Sequence, residues 1–199
     1  MRNNGMGEKK MQDRLFSDRQ LIKLMIPLVI EQGLTILVGM CDGVMVSAVS
    51  EAAISGVSLV DMINAVILVL FAALATGGAV VTSQLLGARR TADARRSAGQ
   101  LVSLTFAMGC LMMTLCLIFA RGLLRLFFGS IADDVMAAGL IYLRITALSF
   151  PFIALYNAGA AIFRSVGNSK VSMQVSLWMN GINVAGNALC VFVLKMGVA

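Results

Sequence analysis

Histidine is absent from this chain of 199 residues, and cysteine occurs only four times. Zinc sites of the common Cys/His type and His-dependent nucleophilic catalysis therefore have no residues to build on. The four cysteines (Cys41, Cys110, Cys116 and Cys190) all fall in apolar segments, where free thiols that pack as small apolar groups are expected. No phosphate-cradling glycine loop is present either. We expect neither an enzyme nor a bound cofactor.

Charge is also scarce, and its distribution is uneven. Only 13% of residues are charged, 59% are hydrophobic and the mean hydropathy is +0.88, whereas a typical soluble domain has roughly 25% charged residues. No Lys or Arg occurs between Lys23 and Arg89. This composition indicates an integral membrane protein that lies in a lipid bilayer.

Apolar runs of about 20 residues, the length that crosses a bilayer as a helix, recur along the chain. They predict an all-α polytopic membrane protein with five transmembrane helices, near residues 21–47, 56–82, 97–120, 136–160 and 171–194, after a polar lead over residues 1–20. The first apolar run is too long for a signal-peptide core and has no small-residue cleavage site, so we expect it to be retained.

The basic residues indicate the orientation of these helices. Twelve of the 16 fall in the second and fourth connectors and in the lead, with Lys23 just after the lead counted in, against three on the opposite side. Arg144, the remaining one, lies near the start of the fourth span, where snorkelling explains it. Because Lys and Arg are retained on the cytoplasmic side, the N-terminus is predicted to be cytoplasmic, in an inner or plasma membrane.

The confinement of the basic residues to short connectors argues against nucleic-acid binding, despite the net charge of +6.

Two acids occur inside the first apolar span. Glu31 and Asp42 are eleven residues apart, which leaves them about 20° from each other around a helix, on one face. An acid at membrane depth costs roughly 2.5–3.5 kcal/mol by insertion scales, so it indicates a functional site and a membrane transporter. The alternative is that Asp42 lies near the external end of the helix and reaches water there. Glu31 is a candidate for lining a cavity.

Three amides lie on one stripe of the fifth predicted helix: Asn180, Asn183 and Asn187 share an arc of about 60°. Amide oxygens are suitable ligands for sodium, and they are equally good partners for hydrogen bonds between helices. Both interpretations stand for each residue taken singly. The three together favour a functional role, and Asn180, like Glu31, is a candidate for lining a cavity.

Two further features concern helix shape. Pro27 and Pro151 fall inside the first and fourth spans, and an interior proline removes a backbone hydrogen bond, so both are predicted to kink their helices. Gly39 and Gly43 flank Asp42 at a spacing that permits a neighbouring helix to approach closely. Such an approach would bury the carboxylate, raise its proton affinity and favour exchange of a proton or a sodium ion.

Four stretches, taken in order, resemble the multidrug and toxic compound extrusion (MATE) transporters. These are Ile26-Pro27-Leu28 through Asp42-Gly43 to Val46, Gly77-Gly78 through Ser83-Gln84 to Ala88, Tyr142-Leu143-Arg144 through Phe150-Pro151, and Phe163-Arg164-Ser165-Val166-Gly167-Asn168. The similarity extends from about Leu21 to Val198. It implies twelve helices in two six-helix lobes, which export organic cations and other drug-like molecules in exchange for sodium or protons.

The resemblance also implies roles for residues. In that family an acid on the first helix and polar residues on the fifth form a cation site for Na⁺ or H⁺, and Asp42, Asn183 and Asn187 match these positions. The last is an aspartate in some members. No other metal is expected.

On this basis residues 21–199 resemble the first five helices of an N-terminal lobe, truncated before a sixth helix. The sixth helix and a C-terminal lobe, in the same or another chain, are the expected partners. Two alternatives stay open. One is a lipid-linked sugar flippase of related architecture, which should carry several basic residues in its cavity. The other is a membrane subunit that does not itself transport.

Overall fold

The computed structural model describes residues 18–47 and 51–189. Over those ranges the chain forms five helices and no strand. They are α1 (Asp18–Ser47), α2 (Glu51–Gly87), α3 (Thr91–Phe128), α4 (Asp133–Ser165) and α5 (Ser169–Ala188). The all-α, five-helix fold predicted from the sequence is therefore confirmed.

The first four helices, α1 to α4, are longer than the apolar runs from which they were predicted. For example, α2 ends at Gly87 and not at residue 82, and α3 extends from Thr91 to Phe128 and not from 97 to 120. Within the described residues, four helices are long and apolar enough to cross a membrane, namely α1 to α4. The fifth described helix, α5, is not among them, and residues 190–194 of its predicted span lie outside the described residues.

Short connectors reverse the chain between helices. Only three residues separate α1 from α2, and three connecting residues reach about 10 Å, far less than the roughly 45 Å length of a helix of 30 residues. After so short a connector each membrane-crossing helix must return across the bilayer, so α1, α3 and α5 point one way, and α2 and α4 the other.

The turn after α4 has a specific geometry. Gly167 has a φ of +80°, the Gly167 N–H donates to Arg164 O, and the Asn168 N–H donates to Phe163 O at 2.9 Å. This is a Schellman motif, in which glycine takes the left-handed position without steric cost. The turn fixes where α5 begins relative to the last turn of α4.

The core lies between α2, α3 and α4. Buried apolar residues recur at helical spacing on each of the three, and Phe71 of α2 meets Phe150 of α4 edge to face, with ring centroids 6.1 Å apart. Close crossings are made by glycines: a Cβ at Gly56 would lie 2.8 Å from the backbone N of Gly139. Helix α1 lies outside this group and packs chiefly against α5.

Three shape predictions have different outcomes. Nothing lies within 4 Å of a Cβ built at Gly39 or Gly43, so no described helix makes the close approach that their spacing predicted. Both Pro27 and Pro151 lie inside continuous helices and are buried, and their kinks stay a prediction. Non-helical backbone angles occur instead at Phe119 of α3, with φ −103° and ψ 17°.

Candidate functional site

Glu31 is the centre of a buried polar network that joins three helices. Its side chain lies on the face of α1 turned toward α4 and α5, and the residue is only 6% exposed. Tyr156 of α4 donates its hydroxyl to Glu31 Oε1 at 3.0 Å, and Ser172 of α5 donates to Glu31 Oε2 at 2.7 Å. Both carboxylate oxygens are therefore satisfied, as burial of a charge requires.

Arg164 supplies the compensating charge. Its Nη1 lies 3.4 Å from Glu31 Oε1 and 3.4 Å from Ser172 Oγ, one residue before the end of α4. The Arg164 side chain is 32% exposed, whereas that of Glu31 is 7% exposed. The arginine therefore retains partial access to solvent, while the carboxylate depends on its protein partners.

The network continues along α5. Asn180 donates its Nδ2 to Ser176 Oγ at 3.2 Å. Ser172 and Ser176 are both buried, and they are one helical turn apart on the face that meets α1 and α4. A stripe of polar side chains thus extends along α5 from Ser172, which donates to Glu31, through Ser176 to Asn180.

The other two amides of the predicted stripe contact each other one turn further on. Asn187 donates its Nδ2 to Asn183 Oδ1 at 3.2 Å. Asn183 is exposed and Asn187 half-buried. The backbone of Asp42 lies within α1, but its side chain lies outside what the structure describes. The structure therefore brings the two asparagines together, and the role of Asp42 stays a prediction.

A second polar contact joins α2 and α4 away from Glu31. Tyr142 donates its hydroxyl to Asp61 Oδ1 at 3.2 Å. Asn64, nearly one turn further along α2, has an Oδ1 that is buried without a hydrogen-bond partner in the described structure. A buried acceptor of this kind costs about 1–3 kcal/mol.

Sequence reasoning found part of this arrangement. Glu31 was identified as a possible cavity-lining residue, which stays a prediction, and the structure places its carboxylate among hydrogen-bond donors. Arg164 was counted as a connector charge and as part of a family-like stretch, but not as the ion-pair partner of Glu31. Tyr156, Ser172 and Ser176 were missed, but the four-residue spacing of the two serines, which continues to Asn180, is a signal that a polar-stripe search would have found.

The chain belongs to the MatE family, whose sequence model matches residues 27–189. It is 32% identical over 185 residues to "Uncharacterized transporter YisQ" of Bacillus subtilis (strain 168), covering 92% of this chain and 39% of that protein. It is 26% identical over 110 residues to "Probable multidrug resistance protein YoeA" of the same organism, covering 55% of this chain and 23% of that one.

The fold agrees with this membership. A MOP superfamily transporter from Pyrococcus furiosus superposes with a TM-score of 0.84 at 23% identity, over 90% of this chain and 39% of that one. The resemblance to MATE transporters drawn from the sequence motifs is thus confirmed. The chain spans about two fifths of the length of YisQ and of this solved structure. It is a multi-pass membrane protein with the fold of a MATE half-lobe.

Proposed function

We propose that this chain forms the N-terminal portion of a cation-coupled multidrug efflux antiporter. It would export organic cations or other drug-like molecules across the cytoplasmic membrane in exchange for Na⁺ or H⁺. Family membership supports transport, and the name of the relative YoeA, a multidrug resistance protein, supports this class of substrate. A second lobe, in the same or another chain, would supply the moving partner that alternating access needs.

The observation that carries the proposal is the amide pair on α5. Asn187 donates to Asn183 Oδ1 at 3.2 Å, and because an amide oxygen has two lone pairs, Asn183 Oδ1 has a second one for a cation. Amide and carboxylate oxygens together provide hard ligands for Na⁺. With Asp42 as the charged member, this group would hold a sodium ion, or Asp42 alone would hold a proton.

Coupling follows from the charge of Asp42. A loaded ion neutralises the carboxylate and favours one arrangement of the helices, while an empty site exposes the charge and favours another. The drug would bind preferentially to one of these two states. The bias of basic residues supports a cytoplasmic N-terminus, which would orient the cycle for export.

The sugar flippase alternative has less support. Such a protein needs basic side chains in its cavity to hold a lipid-linked phosphate. Arg144 is exposed in the described structure, and the charge of Arg164 is compensated by Glu31. No specific observation favours the non-transporting subunit.

The test is dye efflux from cells that express the whole transporter with Asp42→Asn, an isosteric change that removes the charge. Efflux should be abolished, with normal membrane insertion. The matched control is Asp133→Asn, an exposed acid in the first turn of α4, which should leave efflux unchanged. Undiminished efflux in Asp42→Asn would refute the role of that residue.

A further inference from the structure

The contact between Glu31 and Ser172 sets the axial register of two parallel helices. α1 and α5 run in the same direction and pack against each other. Glu31 and Ser172 differ by 141 positions in the chain. Asp42 and Asn183 lie eleven residues beyond Glu31 and Ser172 respectively, so their separation is the same.

Equal spacing on both helices has a geometric consequence. Eleven residues advance each helix by about 16 Å and turn it by about 20° beyond three full turns. Pro27 precedes Glu31, and no proline occurs in α5, so neither segment contains an interior proline that would break this regularity. A pair in contact at Glu31 and Ser172 therefore brings Asp42 level with Asn183, on the continuation of the same two faces.

We propose that Glu31 is a positioning residue whose network fixes α1 in the register that places Asp42 beside Asn183. The network of Glu31, Ser172, Tyr156 and Arg164 is called the clasp below. This inference rests on the proposed function, since it assigns the clasp a part in building the coupling site. The clasp itself lies about three turns away from that site.

The two groups from α4 are needed for the clasp to define one register. Ser176 repeats Ser172 one turn further along α5, so a serine contact alone would also permit a slip of about 5.4 Å. That slip would bring Asp42 level with Asn187. Tyr156 and Arg164 belong to α4, and the Schellman turn at Gly167 fixes α5 relative to the end of α4. They hold the carboxylate of Glu31 at the level of Ser172.

Cysteine cross-linking in membranes tests the register directly. The full chain, with its four native cysteines replaced by alanine, would carry Asp42→Cys together with Asn183→Cys. Oxidation by copper phenanthroline should join this pair, because disulfides form only where Cα atoms approach within about 7 Å. The off-register control, Asp42→Cys with Ser176→Cys, is displaced by two turns and should not cross-link. Equal cross-linking of both pairs would overturn the proposed register.

Variants of the clasp residues then test whether Glu31 fixes the register of α1. Glu31→Ala should lower cross-linking of the Asp42/Asn183 pair about tenfold, because it removes hydrogen bonds to a charged group. Glu31→Gln should largely retain it, because the amide offers an acceptor to Tyr156 and a donor to Ser172. Ser172→Ala removes a single hydroxyl and should also reduce it, which keeps the test decisive if Glu31→Ala fails to insert. Unchanged cross-linking in both alanine variants would overturn the proposal.

A transport measurement separates the clasp from the proposed function. In the intact transporter, Ser172→Ala should raise the Na⁺ or H⁺ concentration that gives half-maximal efflux, with little change in the maximal rate. An unchanged concentration dependence would contradict the part given to the clasp in the coupling site. If the wild-type protein exports nothing, the proposed function fails, whereas the cross-linking pattern still decides the register.

Discussion

Ser172 donates its hydroxyl hydrogen to Oε2 of Glu31 over 2.7 Å, which ties the first turn of α5 to the middle of α1. These residues are 141 positions apart in the chain. The contact matters because α1 has few other attachments: only Pro27 and Glu31 are buried among its described side chains. A buried acid thus holds in place the helix that carries Asp42.

Loss of Arg164 should destabilise the protein more than loss of its ion-pair partner Glu31. Arg164→Gln leaves a carboxylate buried without its compensating charge and should destabilise the protein by about 3 kcal/mol. Glu31→Gln leaves an arginine that still reaches solvent and should cost about 1 kcal/mol. Thermal unfolding in detergent measures both. The double variant should be more stable than Arg164→Gln alone, and additive losses would contradict the pairing.

The only two tyrosines of the chain form a matched pair of variants. Tyr156→Phe removes the hydroxyl that donates to Glu31 and should destabilise the protein by about 1.5 kcal/mol. Tyr142→Phe removes the more exposed contact with Asp61 and should cost less than about 0.5 kcal/mol. The same unfolding assay compares them. Equal losses would show that the Glu31 network contributes nothing particular to stability.

Two glycine substitutions should distinguish a glycine at a close helix crossing, Gly56, from one without a described neighbour, Gly39. Gly56→Ala places a methyl group 2.8 Å from the Gly139 backbone and should destabilise by about 2 kcal/mol through displacement of α2 from α4. Gly39→Ala meets nothing within 4 Å in the described structure and should be neutral or stabilising by up to about 1 kcal/mol. A large loss at Gly39 would indicate a neighbour there outside the described residues.

The fold was largely predictable from the sequence because long apolar runs without Lys or Arg have few structural solutions in a bilayer. Helix ends were less predictable, since α3 continues past Arg121 and Arg125 although its apolar run stops before them. The Gly39/Gly43 spacing favoured a close crossing, but the crossing that forms uses Gly56 and Gly139, which no local motif marks.

The site was predictable only in part, because its residues come from distant parts of the sequence. Glu31 stands out as an acid in an apolar run, yet its partners lie 125 to 141 residues away. Arg164 resembles any other connector arginine until the structure brings it to Glu31. The asparagine stripe on α5 was visible because it is periodic within one helix, and the contact between Asn183 and Asn187 agrees with that periodicity.

Asn187→Asp should strengthen cation binding. A second carboxylate near Asp42 adds a negative charge, which raises affinity for Na⁺ and also raises proton affinity through repulsion between like charges. Asn183 would then turn its amide to donate to the new carboxylate. The Na⁺ concentration for half-maximal efflux, measured at two pH values, should fall at the higher pH. Asn187→Leu, which removes the ligand, should raise it.

The most direct test of the central claim is gradient-driven efflux by the complete transporter in proteoliposomes. An inward gradient of Na⁺ or of protons, imposed separately, should drive an organic cation dye against its own gradient. Asp42→Asn should abolish that accumulation, while Asp133→Asn should preserve it. Dye movement that responds to neither gradient, or gradient-driven efflux that survives Asp42→Asn, would contradict the proposed coupling at Asp42, Asn183 and Asn187.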